Sequence, residues 1–279
     1  MNQLLFGTGG VPHGTRTGST LDGIRRITEL GLGCMEIEFV HGVKMGEAKA
    51  QEVAKTATAK GIKLSTHAPY FMNLNAHEPE KLRASQDRLL QAARVGALCG
   101  AETVVTHTAF YLGDPPDKVY KRVKRYLQEV VRQLWQENNR IWIRPETMGK
   151  GTEFGTLEEI LNLCTEVEGL APVIDFAHLH ARTGGMNSYL EFTSILSKIK
   201  EQLGRAALDN MHIHFSGIRY GTKGEISHLN LKESDLQYLG LLRALRDFEV
   251  KGLVICESPN LEEDAQFLQA TYNTLTKVG

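Results

Sequence analysis

Eight short apolar runs, each followed by a stretch with helical spacing, set the strongest limit on how this chain can fold. The runs are Leu4 to Gly7, Cys34 to Phe39, Ile62 to His67, Thr103 to His107, Arg140 to Glu146, Pro172 to Phe176, Met211 to Phe215 and Leu253 to Glu257. Their length and composition suit buried strands. Between them the pattern predicts helices over Thr20 to Leu30, Gly46 to Ala59, Pro79 to Leu98, Pro116 to Glu137, Leu157 to Val167, Ser188 to Gln202, Glu233 to Phe248 and Leu261 to Thr276. Ser19 or Thr20 precedes the first helix and Gly31 follows it, Gly61 and Gly100 close two others, and Pro116 sits near the start of a fourth. In the third, Leu82, Leu89, Ala93 and Ala97 form an apolar stripe to lay against a sheet. Eight strand-helix pairs predict a closed (β/α)8 TIM barrel of the α/β class, with a doubly wound open sheet as the competing arrangement.

Composition agrees with one domain over residues 1–279. The chain is 42% hydrophobic and 23% charged, enough to bury a large core, and no Pro/Ser-rich linker or charge run divides it. Cys34, Cys99, Cys164 and Cys256 lie far apart without a C-x-x-C pair, as reduced structural thiols of a cytoplasmic protein would. No signal-like start and no apolar run of membrane-spanning length occurs, and no obligate protein partner is indicated. A net charge of −1 argues against a generic nucleic-acid coat, although a neutral body can carry a local basic rim.

Metal-binding side chains recur where these strands end: His67, His107, Glu146, Asp175, His212 and Glu257. In a barrel the carboxyl ends of the strands meet at one face, so these groups converge on one pocket. Buried carboxylates are costly in isolation, and converging ones make physical sense around divalent cations. Three histidines and three carboxylates exceed the needs of one tetrahedral ion, which predicts two. Glu146 is the natural bridge, offering one oxygen to each ion. Two cations held in this way activate water and neutralise phosphate oxygens, which makes phosphodiester hydrolysis the expected reaction class.

The segments THAPYFMN, VTHTAF, RPETMGKGTEFG, VIDFAHLHA, MHIHFSG and ICESPN resemble the successive signatures of endonuclease IV, the zinc-dependent apurinic/apyrimidinic endonuclease, within the xylose isomerase-like barrel superfamily. The resemblance implies one ion on His67, His107 and Glu146 and a second on Glu146, Asp175, His212 and Glu257, with Glu146 and Glu257 in catalysis. It implies zinc, with manganese as the alternative, and duplex DNA carrying abasic sites as the partner. A third family ion would use His178 and an Asp-x-His pair in the loop after the seventh strand. That loop reads GTKGEISHLNL, so Glu225 stands for the aspartate, the histidine position falls on Ser227, and His228 lies one residue further on.

For DNA contact the resemblance assigns Tyr70, beside the abasic site, and leaves His41 and Lys44 in the loop after the second strand. Arg16, Lys150, Arg182, Arg219 and Lys223 lie in other loops of the same face and are candidates for phosphate contacts. His13 reads as a loop residue, and His180 and His214 as supporting or packing residues. The competing function is a divalent-metal sugar isomerase or epimerase of the same superfamily, with one ion on Glu146, Asp175, His212 and Glu257 and with Glu36 at the glutamate of its second strand. The pair His67 and His107 is the feature such an enzyme has less need of.

Overall fold

The fold comes from a computed structural model in which residues 1–277 are described. Strands β1 (Leu4–Gly9), β2 (Cys34–Glu38), β3 (Lys63–His67), β4 (Thr103–Thr106), β5 (Trp142–Pro145), β6 (Val173–Asp175), β7 (Met211–Phe215) and β8 (Gly252–Cys256) form one parallel sheet. Its order, β5-β4-β3-β2-β1-β8-β7-β6, is a ring opened between β5 and β6. Bridges from Ile143 to Leu170 and from Glu146 to Val173 draw that seam together. Thr147 laces it at the top: its amide donates to the Val173 carbonyl, and its Oγ1 donates to the Asp175 carbonyl at 3.2 Å and accepts from the Asp175 amide at 2.9 Å. The protein is a TIM barrel, and the open sheet is set aside.

Helices α1 (Thr20–Glu29), α2 (Glu47–Lys60), α3 (Pro79–Leu98), α4 (Pro116–Gln136), α5 (Leu157–Glu166), α6 (Phe176–Thr183), α7 (Tyr189–Leu203), α8 (Arg205–Leu208), α9 (Tyr238–Asp247) and α10 (Glu262–Lys277) surround the sheet. Most bounds fall within one or two residues of the sequence reading. On α3, Leu89 and Ala93 of the expected stripe are buried and Leu82 packs against the core, but Ala97 turns to solvent and Gly96 is buried in its place. From Leu82 to Ala97 an ideal helix drifts about 60° off the starting face, so that stripe leaves the sheet. The start of α9 shifts from Glu233 to Tyr238, because Ser234 Oγ accepts from the Ile218 and Leu236 amides and holds the preceding residues in a turn.

Two features of the sixth and seventh loops went unanticipated. The expected strand through Phe176 stops at Asp175, whose carboxylate accepts from the His178 amide at 2.7 Å and caps α6. After β7 the chain forms an antiparallel hairpin, Gly217–Gly221 against Gly224–Leu229, in place of an irregular loop. Gly224 needs its φ of +93°, and a Cβ there would meet the Gly149 carbonyl oxygen at 2.2 Å. No helix among the described residues is long and apolar enough to cross a membrane.

Candidate metal centre

Parallel strands finish at one rim, and their inward side chains recur with period two. Glu36 therefore lies a pleat below Glu38, Ser65 below His67, Arg144 below Glu146, and His212 below His214. At the rim a cavity of about 370 Å³ is walled by His67, Tyr70, His107, Glu146, His178 and Glu257, with Lys150, Glu153, Glu225 and His228 over it.

Glu146 is the hub of this cavity. Its Oε1 lies 3.1 Å from His214 Nδ1 and 3.2 Å from His178 Nδ1. Its Oε2 lies 3.2 Å from His107 Nε2 and 3.5 Å from His67 Nε2, yet accepts no hydrogen bond although it is buried. Among the described residues there are five groups of ligand-type atoms, each with all its atoms within 4.8 Å of one another. His67, His107 and Glu146; Glu146, Asp175, His214 and Glu257; and Asp175, His178 and His228 follow one another across the cavity, with Glu36, His212 and His214 below them and Glu36, Glu38 and Glu257 to one side. Glu146 joins the first of these to the second, and Asp175 the second to the third.

The histidine tautomers fit cations. Nδ1 of His67, His178 and His228 faces the carbonyl of Ala68 at 2.7 Å, Thr147 at 3.0 Å and Glu257 at 3.2 Å respectively. A carbonyl only accepts, so Nδ1 carries a proton, and whenever the ring is neutral Nε2 presents its lone pair inward. The Nε2 atoms of His178 and His228 then meet head-on at 3.3 Å. That contact is satisfied either by one proton shared between the rings, His178 being held well above its ordinary value by Asp175 and Glu146 against the effect of burial, or by a cation between them. Asp175 Oδ2, buried without a hydrogen-bond partner, completes the same group. The donor set of imidazole nitrogens and carboxylate oxygens suits zinc or manganese.

The four-membered group departs from the sequence expectation, because it contains His214 and not His212. Both histidines face inward, but register pairs His214 with Asp175 and His212 with Val173, one pleat deeper. His212 Nε2 lies 3.1 Å from Glu36 Oε2, outside every group that contains Glu146. His214, read from sequence as a supporting residue, offers Nδ1 to the group and sets Nε2 3.0 Å from Glu36 Oε1. This carboxylate-imidazole pairing orients a metal-binding histidine, and Ser65 Oγ steadies Glu36 from below at 2.7 Å. The alternation in MHIHF puts both histidines inward, and register against β6 separates them.

The remaining predicted residues divide by position. The hairpin carries His228 into the third group and puts Glu225 Oε2 3.5 Å from His178 Nε2, so the shifted histidine reaches the cluster. Tyr70 stacks on His107 with ring centroids 5.3 Å apart and meets His67 edge-on. His41 and Lys44 are exposed beyond the cavity, where His41 stacks on Phe71 at 6.4 Å. Arg182 donates to the carbonyls of Met148, Lys150 and Glu153, which commits it to shaping the loop after β5. Lys150 lines the cavity 3.9 Å from Glu225, whereas Arg16, Arg219 and Lys223 are exposed. His13 bonds the Pro259 carbonyl, and His180 bonds Asp235 and packs on Tyr220, both away from the cluster.

Crowding of carboxylates governs the electrostatics. Burial pushes Glu38 up to about 8, reinforced by Glu36 and Glu257, and both its oxygens lack partners. Burial likewise pushes Asp175 up to about 6, with Glu146 and Glu257 adding and His178 opposing. Burial would raise Glu146, but the His214 and His107 imidazoles outweigh it and hold that carboxyl well below its ordinary range. For His67 burial opposes protonation, yet Glu38, Glu146 and Glu36 prevail and carry it up to about 10. The carboxylates of the cavity thus favour positive charge among them, carried by imidazolium protons or by cations.

The sequence profile of the xylose isomerase-like TIM barrel family matches residues 24–271. The chain belongs to that family. Among xylose isomerase-like TIM barrel relatives, an uncharacterized protein of Methanocaldococcus jannaschii is 42% identical over 273 residues, 98% of each chain. A "Probable endonuclease 4" of Enterococcus faecalis is 28% identical over 213 residues, 74% of this chain and 69% of that one. In structure, the endonuclease IV of Thermus thermophilus superposes with a TM-score of 0.78 at 20% identity, covering 99% of this chain and 100% of that one. A D-tagatose 3-epimerase-like protein gives 0.74 at 16% identity, covering 97% of each. The resemblance to endonuclease IV read from the motifs is therefore matched by relatives in sequence and structure, and the barrel itself is shared with epimerases.

Proposed function

We propose that this chain is a metal-dependent phosphodiester hydrolase that cuts DNA on the 5′ side of abasic sites, leaving a 3′-hydroxyl and a 5′-deoxyribose phosphate. The observation that carries the reading is the chain of three ligand groups joined through Glu146 and Asp175. The competing isomerase reading uses one such group, whereas charge developing on several phosphate oxygens calls for several.

In this reading His67, His107 and Glu146 would hold one cation; Glu146, Asp175, His214 and Glu257 a second; and Asp175, His178 and His228, with Glu225 beside them, a third. Bound zinc, or manganese in its place, supplies Lewis-acid stabilisation of the phosphate oxygens and acidifies water at neutral pH. Glu36 fixes the ring of His214, and the carbonyls of Ala68, Thr147 and Glu257 place a proton on Nδ1 of His67, His178 and His228. Tyr70, 41% exposed and stacked on His107, walls the side where an extruded sugar would enter. An abasic nucleotide leaves the helix at little cost, since no base is unstacked, which selects damage without reading sequence. The relatives named endonuclease 4 support the same reading.

The test is nicking of a duplex with one stable abasic analogue by zinc-loaded protein. The wild type is expected to nick it and Glu146→Gln to lose more than about 100-fold, beyond what an outer partner of a ligand costs. Equal behaviour of the two proteins defeats the proposal. The single-ion group Glu146, Asp175, His214 and Glu257 is the observation that favours an epimerase, and turnover of a ketose panel by the same samples would establish that reading instead.

A further inference from the structure

Helices α3 and α4 hold ten lysines and arginines against four acidic residues, in a chain whose net charge is −1. On α4 the cations Lys118, Lys121, Arg122 and Arg125 recur at spacings of three, one and three and so share one face. They wall a hollow of about 590 Å³ together with His77 and Ala76. Asp114 is the acid set among them, 2.6 Å from Lys118, 2.7 Å from His77 and 3.7 Å from Arg122. Lys121 and Arg125 project furthest into solvent, and their acidic neighbours Asp117 and Glu129 stand off at 3.7 and 3.8 Å. Exposed pairs at that range neutralise little.

This hollow is continuous with the metal centre. The 370 Å³ cavity shares Tyr70 and Phe110 with a second hollow of about 840 Å³, and the second shares Ala76 with the basic one. The middle stretch is apolar where Phe71, Phe110 and Leu112 stand exposed, and its Lys81 and Arg88 are balanced by Glu78 and Glu80. The path thus leads from the ligand cluster over aromatic side chains to a positive face. Lys118 to Arg125 spans about 10 Å of helix, room for about three phosphates of one strand.

We propose that nucleic acid engaged at the metal centre runs past Phe110 and Ala76 and lays its sugar-phosphate backbone on Lys118, Lys121, Arg122 and Arg125. This rests on the hydrolase reading only in taking a nucleic acid as the polymer. The face contacts phosphate alone, so it binds undamaged DNA as well and adds affinity without sequence preference.

The test is fluorescence anisotropy with an undamaged 30-base-pair duplex over a range of salt, comparing wild type, Lys121→Glu/Arg125→Glu, the milder Lys121→Gln/Arg125→Gln, and Lys198→Glu/Lys200→Glu as an equal charge change on α7. The first double variant is expected to bind at least tenfold more weakly, with a log-log salt slope shallower by about two, the glutamine pair to fall between, and the α7 pair to match wild type. Affinity unchanged in the α4 variants, an equal loss in the α7 control, or no binding by wild type each overturns the inference. Abasic nicking by the wild type is scored separately. Its failure removes the hydrolase reading, while α4-dependent binding of undamaged duplex would still support this face.

Discussion

At the scale of single residues, the centre depends on which atom of each side chain is free. His212 and His214 are alike in type and both buried, yet one faces Glu36 from below and the other links Glu36 to Glu146 and Glu257. His214→Ala is therefore expected to lose about one ion per chain by elemental analysis. His212→Asn keeps the ion count and lowers metal affinity by about tenfold at most, acting through Glu36. Equal ion loss in the two variants would return His212 to the ligand set. The residue types of this site were legible in the sequence, because imidazoles and carboxylates at strand ends have few other uses together. The choice between neighbouring histidines was not, since period-two alternation puts both on the inner face.

At the scale of elements, the third ligand group depends on how two loops meet. The hairpin after β7 is pinned to the loop after β5 by the Glu225 amide on the Gly149 carbonyl, and Gly224 sits where no side chain fits. Gly224→Ala should push the hairpin off Gly149 and carry Glu225 and His228 with it. The expected outcome is loss of one ion, with circular dichroism unchanged and stability lower by about 1–3 kcal/mol from strain confined to the hairpin. Retention of every ion would show that the hairpin does not position the third group. The strands and most helices were legible from their periodicities. The hairpin was not, because GTKGEISHLNL lacks alternation, and its pairing is stabilised by contacts with α6 and the loop after β5.

For the whole molecule, cations and barrel stability are linked through protons. Without metal, the raised value of His67 contributes stability that is fully present below about 6.5 and fades as pH climbs through about 10. Glu38, raised to about 8, works in the same direction, because the folded state holds a proton that the unfolded chain has already lost. Protein stripped with a chelator should therefore melt at progressively lower temperature between pH 7 and pH 9. With zinc bound, the ligands carry no proton to lose, so the gap in Tm between loaded and stripped protein widens with pH. A gap that is constant or narrows over that range would contradict this account of the cavity's charge.

Local chemistry was enough to establish the alternation of eight strands and helices, the barrel and the kinds of group gathered at its mouth. Apolar periodicity and the donor atoms of imidazole and carboxylate are properties that a linear sequence carries. Tertiary structure decided what depends on register and closure: His214 at the level of Asp175, the two oxygens of Glu146 turned to different partners, and His228 brought opposite His178. These relations join residues far apart in the chain. They are set by which strands pair and how the ring closes, and no local pattern encodes those choices.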